Sequence, residues 1–140
     1  MQHRRAPSGA YYEQNGSNVC GQPGGGSSGA SGGPTGTAHE CKLQFAAAPA
    51  GKTLAIEHVA CNLFVGGDVL ADISLATPSG PNDSRLVPLE PTPLSQASYN
   101  YYSVNDDVVY VTRTNPRIVM HAEASDAVLS MTCQISGHLK

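Results

Sequence analysis

Residues 129–136 read Leu129-Ser130-Met131-Thr132-Cys133-Gln134-Ile135-Ser136, and apolar and polar side chains alternate along them without a break. Successive side chains of an extended chain point to opposite faces. The alternation therefore puts Leu129, Met131, Cys133 and Ile135 on one face and Ser130, Thr132, Gln134 and Ser136 on the other. On a helix the same four apolar residues would be spread around the circumference. The segment predicts a β-strand with one face in a core and the other in water.

The same period recurs upstream. Cys41, Leu43, Phe45 and Ala47 alternate with Lys42, Gln44 and Ala46. Val69, Ala71, Ile73 and Leu75 alternate with Leu70, Asp72 and Ser74, and Ile118, Met120 and Ala122 share a face. From Thr53 to Val65 the phase slips: Leu54 and Ile56 lie on one parity, Val59, Cys61, Leu63 and Val65 on the other. One extra residue in a strand produces that slip, so a β-bulge is expected at Glu57-His58. Val108 to Thr112 is β-branched and aromatic, hence a strand. Pro49-Ala50-Gly51-Lys52 and Gly66-Gly67-Asp68 read as turns, as does Asn105-Asp106-Asp107, and Thr77 to Ser84 reads as an exposed loop. Arg85 to Leu89 is expected as a short edge strand, interrupted by Pro88, Pro91 and Pro93. About seven or eight strands with no amphipathic helix predict an all-β, antiparallel two-sheet sandwich, of which a jelly roll is one form.

The first forty residues differ in kind. Gly21 to Gly36 reads GQPGGGSSGASGGPTG and holds no side chain able to anchor a core. Glycine-rich chain of this sort loses the most backbone entropy on ordering and acts as a linker. Residues 1–40 are accordingly expected as an extended glycine-rich arm, flexible or ordered by assembly, and residues 41–140 as the sandwich. Within the arm, Tyr11-Tyr12 and Val19-Cys20 have the β propensity to pair with a sheet edge.

Composition narrows the function. Of the 140 residues 14% are charged, the formal net charge is −3, and the only basic cluster is His3-Arg4-Arg5. Nucleic-acid binding normally uses a basic face to displace counterions from phosphate, so no nucleic-acid partner is expected. No apolar run reaches the roughly 20 residues a helical bilayer span requires. Met1 to Tyr12 has no apolar core of a secretory signal, leaving a cytosolic chain or a mature exported one. The cysteines bear on that choice. Cys20, Cys41, Cys61 and Cys133 lack paired CxxC spacing, which argues against zinc. They read either as small buried thiols or as two disulfides, Cys61–Cys133 in the core with Cys20–Cys41 as the remaining pair. Bridges imply an extracellular or cell-surface location, free thiols a cytoplasmic one.

The segment Ala48-Pro49-Ala50-Gly51-Lys52-Thr53-Leu54-Ala55-Ile56-Glu57-His58-Val59 resembles the PAGK-x-L-x-IE-x-V stretch of small uncharacterised bacterial β-sandwich proteins, often exported. The ending Ile135-Ser136-Gly137-His138-Leu139 is similar to their closing SGYL strand. The resemblance implies the fold and export, and it brings no catalytic residue.

Constellations able to carry chemistry are sparse. His121 and Glu123 share a strand face and His58 stands beside Glu57, but there is no HxH pair, and their phase points them to solvent rather than to a metal. No GxSxG elbow is present, Cys61 and Cys133 point inward, and the neighbours Asp106 and Asp107 face opposite ways. No catalytic residue, metal or cofactor is expected. Tyr99, Tyr101 and Tyr102 remain, as stacking platforms for sugar rings, the alternative being that Tyr99 and Tyr101 cap one end of the core. The expectation is a non-enzymatic structural subunit, self-associating through its arm and sheet edges, with contacts from Tyr11, Tyr12 and Val19. The alternative is a secreted carbohydrate-type binding module that uses Tyr99, Tyr101 and Tyr102.

Overall fold

The computed structural model describes residues 10–21, 40–66, 69–79, 82–94, 100–123 and 128–140. Among them the chain forms nine strands and no helix: β1 (Tyr11–Cys20), β2 (Glu40–Gln44), β3 (Leu54–Gly66), β4 (Leu70–Ser79), β5 (Asn82–Pro88), β6 (Pro91–Leu94), β7 (Asn100–Thr112), β8 (Arg117–Ala122) and β9 (Val128–Leu139). They make a five-stranded sheet in the order β1-β9-β3-β7-β6 and a four-stranded sheet in the order β2-β8-β4-β5, with every pairing antiparallel. The pairs are nested: β1 with β9, β2 with β8, β3 with β7, β4 with β5. Short β6 lies outside that nest on the free edge of β7. Pro91 and Pro93, which cannot donate to a ladder, therefore sit on an edge strand.

The inner faces close on one core. Leu43 and Phe45, Leu54 and Ile56, Leu63 and Val65, Ile73 and Leu75, Ile118 and Met120, and Leu129, Met131 and Ile135 are all buried. These are the apolar phases of the alternating segments. Burying each such side chain contributes roughly 1.5–3 kcal/mol. Tyr110, fully buried, ties the two sheets together, its hydroxyl 2.9 Å from Thr77 Oγ1.

The phase slip in β3 is a register shift between Ile56 and His58, against both β7 and β9. It lets Ile56 and Val59 both face inward. Gly137 lies opposite the shift, where a Cβ would stand 1.8 Å from the Ala55 carbonyl oxygen. Only glycine lets the two backbones approach so closely. Lys52 N–H closes the Pro49 turn on the Pro49 carbonyl at 2.9 Å, with Gly51 at a φ of 79° in the position that requires it.

Three expectations are corrected. The boundary at residue 40 is misplaced, because Tyr11–Cys20 is an integral strand of this chain's own sheet, hydrogen-bonded to β9 along its full length. Asn105-Asp106-Asp107 is the middle of β7, not a turn. Thr77 to Ser84 is not an open loop either, since β4 runs to Ser79 and β5 begins at Asn82. The rest of the glycine-rich stretch, 22–39, lies outside the described residues.

Candidate functional site

The alternation that fills the core also dictates the outer faces. On the five-stranded sheet, the register lines up cross-strand rows. One reads Asn15, Gln134, Ala60, Asn105, and the next reads Ser17, Thr132, Asn62, Ser103. Their inward neighbours Cys61, Val104 and Cys133 are core residues. Alanine is the shortest side chain of the first row, and a shallow trough of about 410 Å³ opens around it, lined by Asn15, Asn62, Ser103, Asn105, Thr132 and Gln134. Among the described residues no charged side chain lines it.

The two ends of this face differ. One row further along stand Val19, Ser130, Phe64 and Tyr101, continued by Leu94 on the edge strand. The Phe64 and Tyr101 rings pack with centroids 5.2 Å apart. Toward the bulge the face becomes titratable: His58 Nδ1 lies 2.9 Å from Asp107 Oδ1, and His138 Nδ1 lies 3.0 Å from Glu57 Oε1. Tyr11 stacks edge-on against His138 with centroids 6.0 Å apart, and its hydroxyl donates to Glu13 at 2.9 Å. That bond to Glu13 raises the Tyr11 pKa.

Of the residues expected to make contacts, Tyr11, Val19 and Tyr101 lie on this one face, and Val19 and Tyr101 share a row. Tyr12 is on the inward parity and packs against the core. Tyr102 also turns inward, its hydroxyl accepting the Leu70 N–H at 3.2 Å. The idea that Tyr101 caps the core is thus corrected: Tyr102 packs against the core, as β-strand parity requires. Tyr99 lies outside the described residues.

The outer face of the four-stranded sheet is charged. His121 on β8 stands between Asp72 on β4 and Glu40 on β2, with Nδ1 2.7 Å from Asp72 Oδ1 and Nε2 3.1 Å from Glu40 Oε2. Burial lowers the His121 pKa, but the two carboxylates outweigh it and hold the pKa above its usual 6.5. With both ring nitrogens donating, the imidazolium fits between them. Lys42 Nζ approaches Glu40 at 3.9 Å. Beside this cluster a pocket of about 340 Å³ is walled by Leu86 and Pro88. The sequence placed Glu123 on the His121 face; the carboxylates that meet His121 are Glu40 and Asp72, which strand pairing delivers and sequence spacing does not show. His58 is on the opposite sheet, so it does not meet His121. Among the described residues no group of three or more His, Cys, Asp or Glu is arranged around a metal ion.

All four cysteines are in disulfides. Cys20–Cys41 joins β1 to β2 across the side of the sandwich, and Cys61–Cys133 joins β3 to β9 beneath the trough, the two pairs anticipated from the sequence. Such bridges are compatible with an extracellular location. Among the described residues no helix is long and apolar enough to cross a membrane.

Neither a protein-family model nor a curated protein matches the sequence.

Proposed function

We propose that this chain is a non-enzymatic recognition module of the extracellular space, a jelly roll whose working surface is the outer face of the five-stranded sheet. The observation that carries this is the field of uncharged hydrogen-bonding side chains from Asn15 to Asn105, ending in the Phe64–Tyr101 row. Such a field is built to bond to something outside the chain. The nested strand pairs support the jelly roll, since rolling up one long antiparallel hairpin generates them. Engagement of every thiol in a bridge supports an oxidising setting and leaves no thiolate for nucleophilic chemistry.

Self-association is the second reading. It is favoured by Leu86, 58% exposed on edge strand β5, and Leu94, 44% exposed on edge strand β6. It ranks second because Tyr11, Tyr12 and Val19, the residues expected to add a strand to a neighbour, already pair with β9 of their own chain. Two measurements test the proposal. Light scattering on the eluting full chain should give a monomer, and an ordered assembly would put self-association first. Alkylation without reductant followed by mass measurement should modify no thiol; four modified thiols would move the protein to a reducing compartment.

A further inference from the structure

We infer that the trough around Ala60 is a subsite for a neutral, hydroxyl-rich chain, an uncharged oligosaccharide, with the Phe64–Tyr101 row stacking on a neighbouring sugar ring. This rests on reading the five-stranded face as a recognition surface, and it adds what that surface recognises.

The chemistry of the lining decides the ligand class. Asn15, Asn62, Asn105 and Gln134 each offer amide donors and an acceptor, and Ser103 and Thr132 offer hydroxyls that do both. A vicinal diol of a sugar also donates and accepts from adjacent oxygens, so one carboxamide can engage two hydroxyls at once. An anionic ligand would call for Arg or Lys and a cationic one for carboxylates, and among the described residues the trough holds none of these. The nearest titratable side chains stand one row away, where Glu13 accepts a hydrogen bond from Tyr11 and Asp107 is hydrogen-bonded to His58.

Shape and stiffness agree with a chain rather than a single small molecule. A volume of about 410 Å³ is within the usual span for ligand sites, and it lies open on a sheet face instead of enclosed. Tyr101 and Phe64 stand two residues along their strands from Ser103 and Asn62, about 7 Å away at β-strand rise. That places an aromatic platform beside the ring next to the one in the trough, where the apolar face of a pyranose gains contact and a tyrosine keeps its hydroxyl. The donors sit on neighbouring strands β1, β9, β3 and β7, with the Cys61–Cys133 bridge beneath. Groups already held in place lose little freedom on binding.

The test titrates the full chain with cellohexaose, xylohexaose, chitohexaose and maltohexaose. Polygalacturonate and heparin serve as charged controls, and calorimetry and amide chemical shifts are the readouts. At least one neutral oligosaccharide should bind saturably, indifferent to salt, with shifts centred on Ala60, Asn62, Ser103, Asn105, Thr132 and Gln134. Ala60→Phe, which fills the trough, and the pair Asn62→Ala with Gln134→Ala should each weaken binding about tenfold or more while melting like the parent. Failure of every neutral oligosaccharide, or shifts that map elsewhere, overturns the inference. If a charged polymer instead shifts this same face in a monomeric protein, the ligand class falls and the recognition surface stands. If the chain proves to be an assembly, the recognition reading itself falls.

Discussion

The two outer faces of the sandwich rest on the same two-residue alternation and carry opposite kinds of polarity. The four-stranded sheet presents Glu40, Lys42, Asp72 and His121, which answer one another across three strands. The five-stranded sheet presents amides and hydroxyls through its middle and keeps its charges at the bulge end. A charged group that has found its counter-charge within the chain is spent on holding strands together. A neutral amide retains bonding capacity in several directions and costs little to desolvate against a matching partner. Exposed polar residues are therefore not one category. One face joins its charges across three strands, and the other carries neutral donors and acceptors through its middle.

The largest expected effect comes from breaking the bulge that shapes the five-stranded face. Gly137→Ala drives a Cβ into the Ala55 carbonyl, and neither backbone can retreat without unpairing β3 from β9. A loss of about 4 kcal/mol or more, or outright failure to fold, is expected. Urea denaturation checks it, and a near-parental midpoint would show that the close approach is not needed.

The bridges sharpen the comparison next. Cys61–Cys133 closes a separation of 72 residues under the neutral face, and Cys20–Cys41 closes 21 at the side. Loop-closure entropy puts their contributions at about 4 and about 3 kcal/mol. Replacing each pair by serine and comparing denaturant midpoints should give that order. The reverse order would mean that the side staple, which joins the two sheets, matters more than the bridge within one of them.

How much of this was legible beforehand depended on where the core-facing phase is apolar. The strands with apolar inward residues and the bulge could be read directly from alternation, whereas the inward phase of Cys41, Cys61 and Cys133 allowed bridges without excluding buried thiols, and Cys20–Cys41 entered only as the remaining pair. Tyr11–Cys20 could not, because its inward positions include Gln14, Gly16 and Asn18. Those polar groups are satisfied sideways. The Gln14 amide bonds both the carbonyl and the N–H of Ala46, and Asn18 Nδ2 donates to the Lys42 carbonyl at 2.6 Å. A strand whose inner face packs at its ends, through Tyr12 and Cys20, and bonds to backbone between them leaves no continuous hydrophobic period in its sequence. Asp106 and Asp107 misled for a related reason. Their composition says turn, but Asp107 meets His58 and Asp106 accepts the Glu90 N–H at 2.7 Å. The trough was visible only as the polar half of each alternation, since its shape requires Ala60 to lie between Gln134 and Asn105, and only register supplies that.

The smallest effect is the most specific to the charged face. The folded state holds His121 above its ordinary pKa of 6.5, so it favours the imidazolium relative to the unfolded chain. The stabilisation is complete below pH 6.5 and is lost as pH rises through the folded-state value. Within the cluster His121 is the group whose protonation the fold favours. Its partners are partly exposed and screened, which limits the effect to about 0.5 kcal/mol. Urea midpoints measured on either side of the window should fall slightly toward high pH in the parent, and His121→Gln should flatten that part of the profile. His58 and His138 sit on the other sheet against Asp107 and Glu57, so His58→Gln and His138→Gln serve as controls. If either of these flattened the profile and His121→Gln did not, the stitching would belong to the five-stranded face and the contrast between the faces would have to be redrawn.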